Sequence, residues 1–392
     1  MKKKQLVLAC ILIFAVLFAG CSAGTQTAPT VPATPSAPAS GNSSSNPASS
    51  DATALANAVA DMKQLDLNMA TCLNSNHSGL IMMKNWAQRI EEATEGKIKI
   101  TFYNDQSLVP NSELVDALVN GVCDIIEVDP SYCSSWFTYS MAYFLPGQPY
   151  ANNMAATGAA LDLFTSPDWD LKEFNSIKIV AAYNMSLGGI GWSLDKAPQK
   201  LEDLKGLQIR ATGYGLDGVT ALGAVPVGMS MGDVYEAFVK NTIQGGAITL
   251  ETMVNFNFAE CVQSYTVKPL AATPHIIAFN NDVWDSIPAE VQQIVLDLGR
   301  EESLTIPGIW YDSDLAGYNA CKEKGVDVYY LSAEDETAWT EAMAVCKQNW
   351  IQKMAADGYP DGEKFLAWLD DVIAANNAKY PTSEYDSFDF IE

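Results

Sequence analysis

The chain runs to 392 residues and carries 23 basic against 47 acidic side chains, a net charge of −24 at neutral pH. A surface this negative excludes nucleic acid and anionic lipid as binding partners, because both are polyanions. Hydrophobic residues make up 48% of the chain, enough to build buried cores for two domains once a polar N-terminal stretch is set aside.

Met1 to Gly20 opens with Lys2-Lys3-Lys4 and continues as an apolar run from Leu6 to Ala19, too short for a stable membrane span. Residues 1–20 are therefore expected to be an export signal. Leu17-Phe18-Ala19-Gly20-Cys21 matches a lipoprotein cleavage pattern, which makes Cys21 the expected lipidation site. The bland alternative is an ordinary signal followed by a coincidental cysteine. Residues 21–60 begin as a run of Ala, Pro, Ser, Thr, Gly and Asn and are expected to form a flexible tether. Beyond Cys21 six cysteines, at 72, 123, 133, 261, 321 and 346, leave their pairing open. No Cys-x-x-Cys occurs, and neither His77 nor His275 lies at zinc-site spacing, so no metal or other cofactor is expected.

Beyond the tether, strand and helix patterns alternate. Residues 63–69 read as a strand, Gly79 to Ala93 as an amphipathic helix, 97–102 as a strand, 112–120 as a helix and 123–128 as a strand. Further strands are predicted at 177–183, 207–211 and 243–250, with helices near 215–222, 231–240, 288–305 and 335–357. Such alternation argues for an α/β fold with parallel sheets, with ligands bound at the carboxyl ends of the strands.

Only three arginines occur, and two of them, Arg89 and Arg300, sit on polar helical stretches beside glutamates that explain them. Arg210 differs. It ends the strand-like run Leu207-Gln208-Ile209-Arg210-Ala211 and precedes the loop Gly213-Tyr214-Gly215, so a planar donor of two parallel N–H bonds projects from a rigid element beside a mobile one. This is the pattern of a carboxylate site. With the chain as a whole acidic, attraction for an anion has to be local.

The block from Leu201 to Arg210, then Leu222-Gly223-Ala224-Val225-Pro226-Val227 and Asp233-Val234-Tyr235-Glu236-Ala237-Phe238, resembles in order and spacing the core of the DctP-type substrate-binding proteins of TRAP transporters. Trp86 to Ile100, Leu118 to Ile125, Asn281 to Pro288 and Lys324 to Val328 extend the likeness, which covers roughly Leu65 to Asn377. The resemblance implies a two-lobed α/β fold of the periplasmic-binding-protein (Venus flytrap) kind, with crossing strands and a long helix spanning both lobes. It implies one lobe from residues 65–186 and 275–315 and another from 187–274 and 316–385. It also implies a function: capture of a small organic acid in the cleft between lobes, delivery to the TRAP membrane subunits, no catalysis and no cofactor. The protein would be held at the outer face of the cell membrane, or in the periplasm, by its lipid anchor.

On that reading Arg210 binds the carboxylate through two parallel bonds. Asn74 and His77, in the turn Asn74-Ser75-Asn76-His77-Ser78, face the cleft, although capping of the following helix accounts for His77 equally well. Trp192, on the strand before Arg210, either touches ligand or packs inward. Tyr214 and Met231 supply walls, and Glu127 and Asp129, on one face of a strand, supply an acid for a ligand hydroxyl or amine. Gln244 and Glu251 complete the expected lining. The family's usual Asp-Gly and Glu-Asn are replaced here by Gln244-Gly245-Gly246-Ala247-Ile248, which tilts the ligand from sugar acids towards a small or aromatic, relatively apolar carboxylate. His275, after Pro274, and the aromatic run from Tyr132 to Tyr150 read as structural packing.

Two motifs suggest other chemistry. Gly213 to Gly218 satisfies G-x-G-x-x-G but lacks an acidic residue closing a second strand, which a dinucleotide site requires. Gly228-Met229-Ser230-Met231-Gly232 satisfies G-x-S-x-G and defines the rival reading, a lipid-anchored serine hydrolase with Ser230 as nucleophile.

Overall fold

The computed structural model describes residues 47–381 and 390–391. The expected signal, Cys21 and the first part of the expected tether lie outside them. The tether expected over residues 21–60 is overtaken by a helix, Pro47–Asp61. Alanines at 54, 56, 58 and 60 favour it, and Leu55 and Val59, four apart, lay one apolar stripe against the first core together with Met62.

Among the described residues eleven strands form two sheets. The first contains β1 (Leu65–Thr71), β2 (Ile98–Tyr103), β3 (Ile125–Val128), β4 (Ile177–Asn184) and β10 (Pro274–Asn280), in the order β2-β1-β3-β10-β4. The second contains β5 (Gly189–Trp192), β6 (Gln208–Ala211), β7 (Val225–Gly228), β8 (Gly245–Ile248), β9 (Ser264–Thr266) and β11 (Asp327–Tyr329), in the order β11-β9-β5-β8-β6-β7. Parallel pairing holds for β1 with β2 and β3, and for β6 with β7 and β8. The exceptions are β10 and β5, antiparallel to both neighbours. Both are strands by which the chain arrives from the other sheet, so they enter from the opposite direction.

The chain crosses between the sheets at residues 185–188, at residues 267–273, at the helix break near Ala344 and along the helix Ile306–Lys324. That helix buries Ile306 and Trp310 in the first sheet's core and Tyr318 and Cys321 in the second's. At its crossing point it rides directly on backbone, because a Cβ on Gly317 would stand 1.9 Å from the Leu250 carbonyl oxygen. Gly317→Ala is expected to lower stability by about 1–3 kcal/mol or more, the cost of overpacking against atoms that cannot rotate away. Urea unfolding of the variant checks this.

Two sequence expectations are corrected. The single helix expected over 335–357 is two, Ala333–Met343 and Val345–Ala356. The break lets Trp339 and Met343 enter the second sheet's core while Trp350 and Met354 enter the first's. For the same reason the region 316–385 is not of one lobe. Helix Gly362–Lys379 sends Phe365, Leu366, Leu369 and Ile373 into the first sheet's core, and its Asn376 bonds Asp162 on helix Asn153–Thr165. The six cysteines at 72, 123, 133, 261, 321 and 346 are free thiols.

Candidate ligand-binding cleft

Between the two sheets lies a cavity of about 310 Å³, walled by the carboxyl ends of β1, β3, β6 and β8 and floored by the crossing segments. Its size suits a small molecule. Of the residues expected to line it, Arg210, Asn74, His77, Asp129, Met231 and Glu251 do so.

Arg210 is 3% exposed, and its position on β6 places carbonyls of both neighbouring strands around it. Nε and one terminal nitrogen donate to the Met229 carbonyl, just past β7, each at 3.1 Å; the other terminal nitrogen donates to the Ala247 carbonyl of β8 at 3.1 Å. A fourth bond, 3.1 Å, reaches the Tyr132 hydroxyl across the cleft. The guanidinium plane is thus held rigidly by groups that carry no charge. Among the described residues no carboxylate lies within salt-bridge distance of it, whereas Arg89 and Arg300 both have one. A guanidinium has five N–H groups, and these contacts leave one on the Ala247 side with no acceptor among the described residues. Two parallel bonds from Arg210 to one carboxylate, as the sequence suggests, would require the Tyr132 or Met229 contact to give way. Tyr132 accepts from Arg210 and keeps its own proton to donate, so the free N–H and the tyrosine hydroxyl form the available pair.

The opposite wall is a buried polar network. Glu127 accepts from Thr71 Oγ1 at 2.5 Å, from Tyr183 Oη at 2.9 Å and from His275 Nδ1 at 2.5 Å. Burial pushes the Glu127 carboxyl up, but the His275 ring and these donors outweigh it and hold the group below its ordinary value. Burial likewise pushes His275 down, and the Glu127 carboxylate more than reverses this, so the imidazolium is favoured. Asp129 is raised by burial, opposed by His275, Ser131 and Arg210. His77 is lowered to about 4 by burial; its Nδ1 accepts from the Gly79 N–H at 3.2 Å, so it is a neutral ring that caps a helix and presents Nε2–H.

Behind the crossing, Ser186 donates to Asp314 at 2.7 Å, and the Glu251 amide donates to the other Asp314 oxygen at 2.9 Å. Burial raises both carboxyls, Glu251 to about 7 with Asp314 adding to the effect, and Asp314 to about 6. Carboxyls that hold their protons more tightly folded than unfolded take stability away as pH rises from their ordinary values to their folded ones. Stability is therefore expected to fall between about pH 4 and pH 7, by on the order of 3 kcal/mol for each carboxyl of this pair. Asp314→Asn should flatten that loss, which urea midpoints at about pH 5 and about pH 8 would show.

Four expected site residues are elsewhere. Trp192 is fully buried on the far face of β5, donating to Thr266 Oγ1 at 2.9 Å and filling the slot that Gly245 leaves open. Glu127 stands one layer behind the cavity, holding His275. Tyr214 packs half-buried against the first sheet's core. Gln244 is half-buried outside the cavity and bonds Gln208 and Asn241. Sequence reasoning missed Tyr132 and His275, which had been read as packing. The signal for Tyr132 is its place three residues after Asp129, which caps the turn Pro130–Cys133 at the end of β3. Ser230 lines the cavity but makes no hydrogen bond to either histidine, so the triad of a serine hydrolase is not assembled.

The family model "Bacterial extracellular solute-binding protein, family 7" (DctP) matches residues 69–353. The chain belongs to this family, which is one of transporter solute-binding proteins and not of enzymes. It is 25% identical over 224 residues to the protein YiiZ of Salmonella typhimurium, a match spanning 53% of this chain and 64% of that protein. It is 22% identical over 300 residues to the 2,3-diketo-L-gulonate-binding periplasmic protein YiaO of Escherichia coli, spanning 74% and 87%. A marine metagenome TRAP solute-binding protein specific for aromatic acids, solved with 3-hydroxybenzoate, superposes with a TM-score of 0.74 at 22% identity, covering 80% of this chain and 99% of that one.

Proposed function

We propose that this protein captures an organic acid outside the cytoplasm and hands it to the membrane subunits of a TRAP transporter. The observation that carries the reading is Arg210, a desolvated, rigidly held cation with one N–H free and no acidic partner. Leaving such a charge unpaired is costly, so the cavity is complementary to an anion small enough to fit beside it. The carboxylate is received by the free Arg210 N–H and the Tyr132 hydroxyl. Because these donors belong to opposite walls, the ligand binds the closed arrangement better than the open one and shifts the population by that difference. Leu73, Phe144, Ile248 and Phe256 supply apolar surface for the rest of the acid, consistent with the aromatic acid bound by the metagenome protein.

Delivery follows the family pattern: a small and large membrane subunit pair driven by an ion gradient. Among the described residues no helix is long and apolar enough to cross a membrane, so retention at the surface falls to lipidated Cys21. Cys21→Ser is expected to move the exported protein from the membrane fraction to the soluble one; unchanged fractionation would remove the anchor. Capture itself is tested by a thermal-shift screen over carboxylic acids. A true ligand at 100 times its Kd stabilises by about 2.7 kcal/mol and is recovered unchanged. A chain that no carboxylate stabilises contradicts the proposal.

A further inference from the structure

We infer that His275 and Asp129 form a hydroxyl-reading subsite in the same cleft, so that the bound acid is a hydroxy monocarboxylate. This rests on the carboxylate reading of Arg210 and adds the second anchor point.

The argument starts from Glu127. A carboxylate that takes bonds from Thr71 and Tyr183 and lies 2.5 Å from His275 Nδ1 has only acceptor capacity, so that ring nitrogen must be the donor. The ring is further fixed by stacking on Tyr183, with centroids 5.6 Å apart and planes 17° apart. With Nδ1 spent on Glu127, the remaining nitrogen, Nε2, makes no hydrogen bond among the described residues, although His275 is 4% exposed and lines the cavity. Asp129, also in the lining, accepts from the Ser131 amide at Oδ1, and beyond its neighbour Ser131 no donor among the described residues bonds Oδ2. One wall of the cavity therefore carries an imidazole N–H and a carboxylate oxygen, each on a nearly buried residue and each open to the cavity.

A hydroxyl is the smallest ligand group that satisfies both, accepting from Nε2–H and donating to Oδ2. An aromatic or aliphatic C–H in its place would leave two buried polar groups unpaired, which is the situation in which sites discriminate most strongly. Charge sets the rest of the ligand. The ion pair of Glu127 with His275 is neutral as a unit, Asp129 repels a second anionic group, and Arg210 is a cation in the lining without a carboxylate partner among the described residues. A single carboxylate matches this field; a dicarboxylate does not. Glu127 acts here as a positioning residue, setting the ring's tautomer and orientation.

The test uses three matched pairs of acids differing by one hydroxyl: mandelate and phenylacetate, 3-hydroxybenzoate and benzoate, lactate and propionate. Calorimetric titration of the wild-type chain is expected to show the hydroxy acid at least about tenfold tighter in at least one pair. In His275→Gln, whose amide can still reach Glu127 but offers no second ring donor, that advantage should shrink to under about threefold. Should the variant fail to fold, the wild type itself answers. With two histidines in the chain, 15N spectra are simple to assign, and the His275 Nε2 resonance should shift with the hydroxy acid and not with its partner. Equal affinities within every pair, or a silent Nε2 resonance in the hydroxy-acid complex, overturn the inference while leaving the carboxylate reading intact. Binding of none of the six overturns the inference too, and the wider carboxylate screen then decides the broader reading separately.

Discussion

Arg210→Lys is expected to weaken acid binding by about 2–4 kcal/mol, a loss of roughly 30- to 1,000-fold, with the fold retained. Arg210 holds the Met229 and Ala247 carbonyls and Tyr132 simultaneously, which a planar guanidinium does and a single ammonium point cannot. Lysine keeps the charge, so a large loss would show that geometry, and not charge alone, binds the acid. Calorimetry with any acid from the screen measures it, and circular dichroism verifies folding. Unchanged affinity in a folded variant would remove Arg210 from the site.

Glu127→Ala should have the largest effect on stability, about 3–5 kcal/mol, because it strands a buried His275 and two hydroxyl donors at once. Glu127→Gln should cost less, since the amide oxygen still accepts from Thr71 or Tyr183. The cost should also depend on pH. Glu127 is held below its ordinary value of 4.5, so its stabilisation is complete above that pH and is lost as pH falls through the folded value. His275 is held above its ordinary 6.5, so its share is complete below that pH and is lost as pH rises through the folded value. The gap between wild type and Glu127→Ala is therefore widest between 4.5 and 6.5. Urea unfolding across that range is the measurement; a gap under about 1 kcal/mol and flat with pH would mean that the network contributes nothing.

Local pattern was enough for some of this architecture. The helix Gly79–Ala93 has the bounds its apolar spacing predicts, because Met82, Met83, Trp86 and Ile90 all face one core. Arg210 was legible because a cation at the end of an apolar strand, with no acidic neighbour in sequence, has few structural explanations. What stayed hidden was long-range. Strand β5 alternates its faces, and only the neighbouring Gly245 on β8 decides that Trp192 turns into the core and not into the cleft. Phe365, Leu366, Leu369 and Ile373 announce a helix but not which sheet it will cover. His275 finds its partner 148 residues away, so its role could not be read from Pro274 beside it. Linker composition misled in the opposite way, since an alanine-rich tail to a Ser- and Pro-rich run is itself a good helix.

The central claim is that a carboxylate sits between Arg210 and Tyr132 in the interlobe cavity. A crystal structure of the protein saturated with its tightest-binding acid tests it most directly. The account predicts one carboxylate oxygen within hydrogen-bond distance of the free Arg210 N–H and the other within reach of the Tyr132 hydroxyl, with the rest of the acid directed towards His275 and Asp129. A carboxylate bound elsewhere, with the Arg210 N–H facing solvent or an apolar part of the ligand, would contradict it.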